Sequence, residues 1–424
     1  MEKRLFYLDL RKVPEEDDFV AQFFVEPSEN VTMEEACNSI AAESSIGTWT
    51  EVSTMTENFR EKFKARVTKI DGNIVEIAYP SLLFEKGNIP QVYSSVAGNI
   101  FGMKDVKNLR LLSLKFSESF IKTFSGPGYG IEGIREKLKI FNRQIVGTIV
   151  KPKIGLDPES QSNVLYEAML NGCDVVKDDE NLTSQDFCPF DKRVRRCLEK
   201  AKEAEDKTGE GKGYIPNITA PTETMLKRAE FVEKMGGTFA MVDIMTVGWS
   251  ALQTLINSSF NLIIHGHRAM HAAITRNKFH GITMYVLART ARIIGIDQLH
   301  IGTAIGKMEG KREEVLKCVD ALRLKEEGVG DLKQKWDLKP SMPIASGGLH
   351  PLHIPELIEI FGMDCIFQFG GGIHGHPDGT QGGAKAVRQA LYASLNKIPL
   401  SEYAKDNREL QLAIEKWGKQ KRIK

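Results

Sequence analysis

The chain has 424 residues, 42% hydrophobic and 27% charged, with 57 basic against 56 acidic side chains. That length exceeds one small core and implies two domains of ordinary globular composition. A net charge of +1 gives no electrostatic ground for a nucleic-acid or anionic-membrane partner, and no apolar run is long enough to span a bilayer. Met1 to Arg11 lacks the apolar stretch of a secretion signal, so the expected location is the cytoplasm. Six cysteines without a CxxC pair read as reduced thiols, not a disulfide frame or zinc site.

Taken in order, residues 1–125 mix strands and helices into a predicted α+β domain. Phe19 to Val25 reads as a strand, and Thr32 to Ala42 as a helix with Thr32 as N-cap. Ala65 to Tyr79 reads as a hairpin turning at Asp71-Gly72, and Asn108 to Phe116 as a further strand. The Gly/Pro-rich stretch Ser125 to Gly130 marks the boundary of a second domain, 126–424. There, short apolar runs alternate with amphipathic ones. The predicted strands are Gln144–Val150, Asp174–Val176, Tyr214–Ile218, Phe239–Met245, Leu262–His265, Gln298–Ile301, Met342–Ser346 and Cys365–Phe369. Eight strand–helix units in series predict a (β/α)8 TIM barrel; the competing architecture, a doubly wound sheet, lacks its glycine fingerprint after the first strand.

Barrel chemistry sits at the C-terminal strand tips. The first strand ends in Lys151-Pro152-Lys153 and the second in Lys177-Asp178-Asp179-Glu180. The third and fourth offer the hydroxyls of Thr219 and Thr246. The fifth gives His265, His267 and Arg268, and the sixth His300 and the lysine-bearing loop Gly306 to Gly310. The seventh and eighth give Ser346-Gly347-Gly348 and Gly370-Gly371-Gly372. Strand period two sets Lys177 and Asp179 on one face and Asp178 on the other. Asp179 and Glu180 are hard oxygen donors suited to Mg2+; the bland reading is a solvated charge run. Lys177 either pairs with these acids or, as a neutral amine, takes up CO2 as a carbamate. Lys151 and Lys153 serve either as a general base or as phosphate ligands. The glycine tips are phosphate cradles or simple turns, and Gly306–Gly310 a closing lid or an exposed loop. Any one histidine has a core reading, which His265 and His271 fit best.

These stretches together resemble the ribulose-1,5-bisphosphate carboxylase/oxygenase (RuBisCO) large-subunit superfamily, most closely its archaeal form III group. The matching motifs are Gly147-Thr-Ile-Val-Lys-Pro-Lys-Ile-Gly-Leu156, Lys177-Asp-Asp-Glu-Asn181, His267-Arg-Ala-Met-His271, Gly306-Lys-Met-Glu-Gly310, Ala345-Ser-Gly-Gly348 and Gln368-Phe-Gly-Gly-Gly372. Ala42-Glu-Ser-Ser-Ile-Gly-Thr-Trp-Thr50 and Gly98-Asn-Ile-Phe-Gly102 match in the N-terminal half. The resemblance implies a ferredoxin-like N-terminal domain before the barrel. It implies Lys177 as carbamate holding Mg2+ with Asp179 and Glu180, Lys151 as base, and His267 and Lys307 as catalytic groups. Substrate ligands would be Glu43, Thr48, Trp49, Asn99, Lys153, Arg268, His300, Ser346, Gly347, Gly348, Gln368, Gly370 and Gly371. Glu43 and Asn99 would come from a second subunit, giving a homo-oligomer of dimers without a small subunit. The implied reaction joins CO2, or O2, to ribulose 1,5-bisphosphate, in the form III group as part of AMP and nucleoside breakdown. Two other readings remain: a RuBisCO-like enolase acting on another phosphorylated ketone, and a non-catalytic phosphate-binding scaffold.

Overall fold

The computed structural model describes residues 5–48, 50, 52–305 and 311–419. The chain divides into two compact units: Met1–Gly126 with Met270–Gly295 and Leu324–Leu338, and Pro127–Ala269 with Ile296–Arg323 and Lys339–Lys424.

In the first unit, strands β1 (Phe19–Pro27), β2 (Arg66–Asp71), β3 (Ile74–Tyr79) and β4 (Val106–Lys115) form an antiparallel sheet in the order β4-β1-β3-β2. Helices Met33–Glu43 and Ile89–Val96 fall between β1 and β2 and between β3 and β4, giving the βαββαβ order of a ferredoxin-like fold. The first helix starts where its sequence dictates. Thr32 accepts from the Glu35 amide while the Glu35 carboxylate accepts from the Thr32 amide, which satisfies two otherwise free donors. The hairpin turns at Gly72, whose φ of 58° is the left-handed region that an Asp-Gly turn supplies. A two-residue strand, Gly281–Ile282, extends this sheet parallel to β4. Phe19, Phe84, Phe116 and Phe120 pack as an aromatic cluster beneath it.

The second unit is a barrel of eight parallel strands: β5 (Ile145–Ile149), β6 (Val175–Lys177), β7 (Gly213–Ile215), β8 (Phe239–Asp243), β9 (Ile263–His267), β10 (Gln298–His300), β11 (Met342–Ser346) and β12 (Ile366–Phe369). Their order is β7-β6-β5-β12-β11-β10-β9-β8. The parallel bridge Asn217–Met241 closes the ring, with Ile218 N donating to Met241 O at 2.9 Å and Met241 N to Pro216 O at 2.8 Å. Closure removes the open doubly wound sheet as an alternative. One end of the interior is packed by Ile145, Val175, Phe239, Met241, Ile344 and Ile366. Each such side chain, fully buried, contributes roughly 1.5–3 kcal/mol. Moving along the strands from this plug, the inward positions turn polar: Lys177, Asp243, His265, His267, Gln298, His300 and Gln368.

Three barrel strands end two or more residues from the sequence expectation. β7 stops at Ile215, three residues before the predicted Ile218, so Thr219 lies beyond its tip. β8 stops at Asp243, and the helix Ile244–Asn257 begins without a loop, so Thr246 lies on a helix and not at a strand tip. β9 runs on through His267, two residues past the predicted end.

Candidate active site

The tip of β6 separates two chemistries. Outward-facing Asp178 is saturated. It accepts from Gln161 Nε2 (3.2 Å), Arg193 Nε (3.0 Å), Tyr214 Oη (2.9 Å) and Asn217 N (3.0 Å). Burial alone would weaken the Arg193 cation, but the Asp178 carboxylate beside it outweighs this and raises its pKa. Asp178 has no capacity left for a ligand.

Inward, the carboxylates meet only lysines, an imidazole and amide groups. Lys177 Nζ donates to Asp178 O at 2.9 Å, lies 3.4 Å from Met241 Sδ, and stands 3.6 Å from Glu180 Oε2. Its side chain is 1% exposed. Burial pushes the amine pKa down, against the opposing pull of Glu180, Asp179 and Asp243. Asp179 receives Lys151 Nζ at 2.6 Å, and its other oxygen receives Asn181 N and Nδ2. Glu180 lies 3.7 Å from Lys153 Nζ and 3.7 Å from His267 Nε2. Burial would raise the Glu180 pKa, yet Lys177, His267 and Lys153 hold it down at about 2. Asn217 steadies this turn, its Nδ2 donating to the Glu180 carbonyl at 3.1 Å. Lys151 and Lys153, which the sequence leaves open between base and phosphate ligand, each face one carboxylate of the pair.

His267 is aimed by a residue that sequence reasoning missed. Its Nδ1 contacts Asp243 Oδ1 at 2.9 Å, which fixes the ring and turns Nε2 toward Glu180. The signal was available, because Asp243 is a carboxylate ending the apolar run Phe239–Val242.

A second cluster lies on β9 and β10. His265 Nε2 meets His300 Nε2 at 2.8 Å, and the His267 and His300 rings sit 4.7 Å apart, edge to face. Arg268 is buried enough for desolvation to lower its pKa to about 10, and among the described residues no carboxylate pairs with it. Gly302, at φ 99°, leaves its room: a Cβ there would stand 2.9 Å from Arg268 Nη2. Half-buried, with donors unspent among the described residues, the Arg268 guanidinium suits an anion. His265 is a core histidine, fully buried and bonded to Gln298, whereas His271 is only half-buried and bonds to Thr275.

On the other side of the barrel, Gly347 and Gly348 take φ of 124° and 72° at the end of β11. Gly370 follows β12, and a Cβ there would lie 3.5 Å from Lys151 Cε, so this turn adjoins the Lys151 side chain. Ser346 and Gln368 are paired in register across β11 and β12. Gln368 is fully buried, and among the described residues neither amide atom has a hydrogen-bond partner. In the first unit, Asn99 Nδ2 donates to Glu43 Oε1 at 3.2 Å, and Thr48 is exposed. Trp49 and Lys307, with the whole Gly306–Gly310 loop, lie outside the described residues.

Among the described residues, no group of three or more His, Cys, Asp or Glu side chains is arranged to hold a metal. The donors at β6 are two carboxylates and one amine, which suits Mg2+ only if Lys177 itself becomes an oxygen ligand. No helix among the described residues is long and apolar enough to cross a membrane.

Comparison with known proteins finds likeness over nearly the whole chain. Residues 6–120 match the family profile of the ribulose bisphosphate carboxylase large chain N-terminal domain, and residues 130–417 match that of its catalytic domain. The ribulose bisphosphate carboxylase of Methanosarcina barkeri is 49% identical, covering 97% of this chain and 99% of its own. That of Methanocaldococcus jannaschii is 47% identical, covering 97% and 99%. Among solved structures, the dimeric archaeal Rubisco of Hyperthermus butylicus superposes with a TM-score of 0.92 at 44% identity, covering 98% and 99%. The octameric Rubisco of Pyrococcus horikoshii, a sulfate complex, gives 0.92 at 44% identity, covering 98% and 97%.

Proposed function

The chain belongs to the ribulose bisphosphate carboxylase large-chain family, and from that premise we propose that it is a Mg2+-dependent ribulose-1,5-bisphosphate carboxylase/oxygenase. The observation that carries the reading is the buried Lys177 amine, 3.6 Å from Glu180 beside Asp179. Its lowered pKa favours the neutral amine that attacks CO2, and the resulting carbamate supplies the missing oxygen ligand. Asp179, Glu180 and carbamylated Lys177 would hold the cation. Mg2+, when bound, supplies electrostatic stabilisation of the enediolate.

The chain's own groups do the rest. Lys151 takes the C3 proton of the bisphosphate, and Lys153 assists beside Glu180. His267, held by Asp243, acts on the C3 hydroxyl. Arg268 and His300 hold one phosphate through charge-assisted hydrogen bonds. Gly347, Gly348, Gly370 and Gly371 cradle the other, Thr48 and Trp49 serve as further phosphate ligands, and Ser346 and Gln368 contact the sugar between the two phosphates. Lys307 closes over the site and steadies the carboxyl formed from CO2. Addition of CO2 and water and cleavage of the six-carbon product yield two 3-phosphoglycerates; O2 competes for the same enediolate. Glu43 and Asn99 serve the site of a partner copy, which makes a homo-oligomer built from dimers the active form. The dimeric and octameric relatives support that assembly. The metabolic setting proposed is nucleoside-phosphate breakdown in the cytoplasm, with no small subunit required.

Incubation with bicarbonate, Mg2+ and ribulose 1,5-bisphosphate tests this, with 3-phosphoglycerate as the expected product. Deuterium exchange at C3 with no such product would point instead to a RuBisCO-like enolase; tight binding with neither would point to a scaffold. Lys307→Met is expected to retain C3 exchange and lose carboxylation, and equal loss of both would remove the lid role.

A further inference from the structure

Behind the Arg268–His300 end of the site, three side chains form a line through the barrel interior. His265 Nδ1 lies 2.9 Å from Gln298 Oε1, and His265 Nε2 lies 2.8 Å from His300 Nε2. Gln298 and His265 are fully buried and His300 is 5% exposed. Burial, reinforced by the neighbouring Lys177 for His265 and His267 for His300, pushes both imidazoles well below their usual pKa, so both are neutral.

A neutral imidazole has one donor and one acceptor, so each contact constrains the next. With the Gln298 amide as placed, Oε1 accepts from His265 Nδ1–H. His265 Nε2 is then a lone pair and accepts from His300 Nε2–H, which leaves His300 Nδ1 as an acceptor. Turning the amide by half a rotation reverses every step. Gln298 Nε2–H then donates to His265 Nδ1, His265 Nε2–H donates to His300 Nε2, and His300 Nδ1 carries a proton. The same heavy-atom positions serve both senses. Each leaves one Gln298 atom buried without a partner: Nε2 as placed, Oε1 when turned. An orphaned group costs about 1–3 kcal/mol in either sense, so the two are close in energy and a ligand decides between them. A hydroxyl satisfies either sense; a phosphate oxygen, an acceptor, is served only by the second.

We propose that Gln298, His265 and His300 form a hydrogen-bond relay that reverses when an anionic oxygen binds beside His300 and Arg268, with Gln298 as the positioning residue that sets its sense. The proton balance is closed. Each ring carries one proton in both senses, so the reversal moves the His300 proton from Nε2 to Nδ1 and the His265 proton from Nδ1 to Nε2 with no net uptake or release. The proposal rests on the reading of Arg268 and His300 as an anion site, and adds that a residue remote from the ligand chooses whether His300 donates or accepts.

Solid-state 15N NMR of the full chain labelled at histidine reads these tautomers directly, first without ligand, then with inorganic phosphate, then with ribulose 1,5-bisphosphate. With no ligand to decide, the free protein should show the two coupled senses together; with either anion both rings should settle on the second, His265 as Nε2–H and His300 as Nδ1–H. Conversion of His300 to an imidazolium with His265 unchanged, or no change in either ring, overturns the relay. Gln298→Glu in its ionised form can only accept, so at a pH where that carboxylate is ionised His265 should keep its Nδ1 proton with phosphate present. Loss of that proton in this variant would overturn the role of Gln298, and the wild-type measurement decides the relay even if the variant does not fold. A switch on phosphate in a protein that fails to turn over ribulose bisphosphate supports the relay and removes the substrate reading. Turnover without a switch does the reverse.

Discussion

The two faces of the β6 tip carry similar residues in opposite states. On the outer face, Asp178 meets Arg193, Tyr214, Gln161 and the Asn217 amide, and the Arg193 guanidinium also reaches the Cys188 and Thr183 carbonyls. On the inner face, Asp179 and Glu180 meet amines and an imidazole that have chemistry of their own. A buried charge with every donor and acceptor matched can only stabilise or break. A buried amine beside two carboxylates has a reaction open to it. Neighbours in sequence thus divide into scaffold and site according to whether their hydrogen-bond capacity is already used.

Removing the reactive amine should give the largest effect. Lys177→Ala is expected to lower Mg2+-dependent turnover by at least about 1,000-fold with the fold intact. Steady-state kinetics across a CO2 and Mg2+ series checks this, and a fully active variant would put Lys177 back among ordinary ion pairs. Asp178→Ala attacks the other face. It strands the Arg193 cation in the interior and should cost about 3–5 kcal/mol of stability, read by denaturant unfolding. A variant as stable as the parent would mean the outer face is not the scaffold described. Asp243→Asn leaves both faces standing but frees the His267 ring. A kcat about 100-fold lower with KM little changed is expected, and a change confined to KM would argue against an orienting role. The smallest effect is in acid. The Glu180 pKa falls from an ordinary 4.5 to about 2 on folding, so its contribution is present above pH 4.5 and lost as pH falls toward 2. The stability gap between the parent and Glu180→Gln should shrink across that window, and a gap that does not change with pH would contradict the pairing with Lys177.

The barrel was legible because each strand is a short apolar run followed by an amphipathic helix, and that alternation leaves few other ways to bury both faces. Among the described residues, the helices of seven or more residues left unread are Glu57–Phe63, Ile89–Val96, Gly130–Leu138 and Arg408–Trp417, short segments outside the strand–helix alternation. The charged tips were legible from their placement after apolar runs. Asp243 was passed over although it ends the apolar run Phe239–Val242, because a strand passing into a helix without a loop gives no turn residues to mark the tip, and the predicted strand ran on to Met245. The Asp178 network was hidden for another reason. Arg193, Tyr214 and Asn217 are 15, 36 and 39 residues away, and only the pairing of β6 with β7 and the placement of the helix Phe190–Thr208 bring them to one carboxylate. Gln298 reads as an ordinary strand residue until the His265 ring is seen beside it.

The most direct test of the whole account follows carbon. Protein activated with CO2 and Mg2+, given ribulose 1,5-bisphosphate and isotopically labelled CO2, should form two molecules of 3-phosphoglycerate per bisphosphate consumed, one of them labelled in its carboxyl group. Bisphosphate consumed without label entering 3-phosphoglycerate would contradict it.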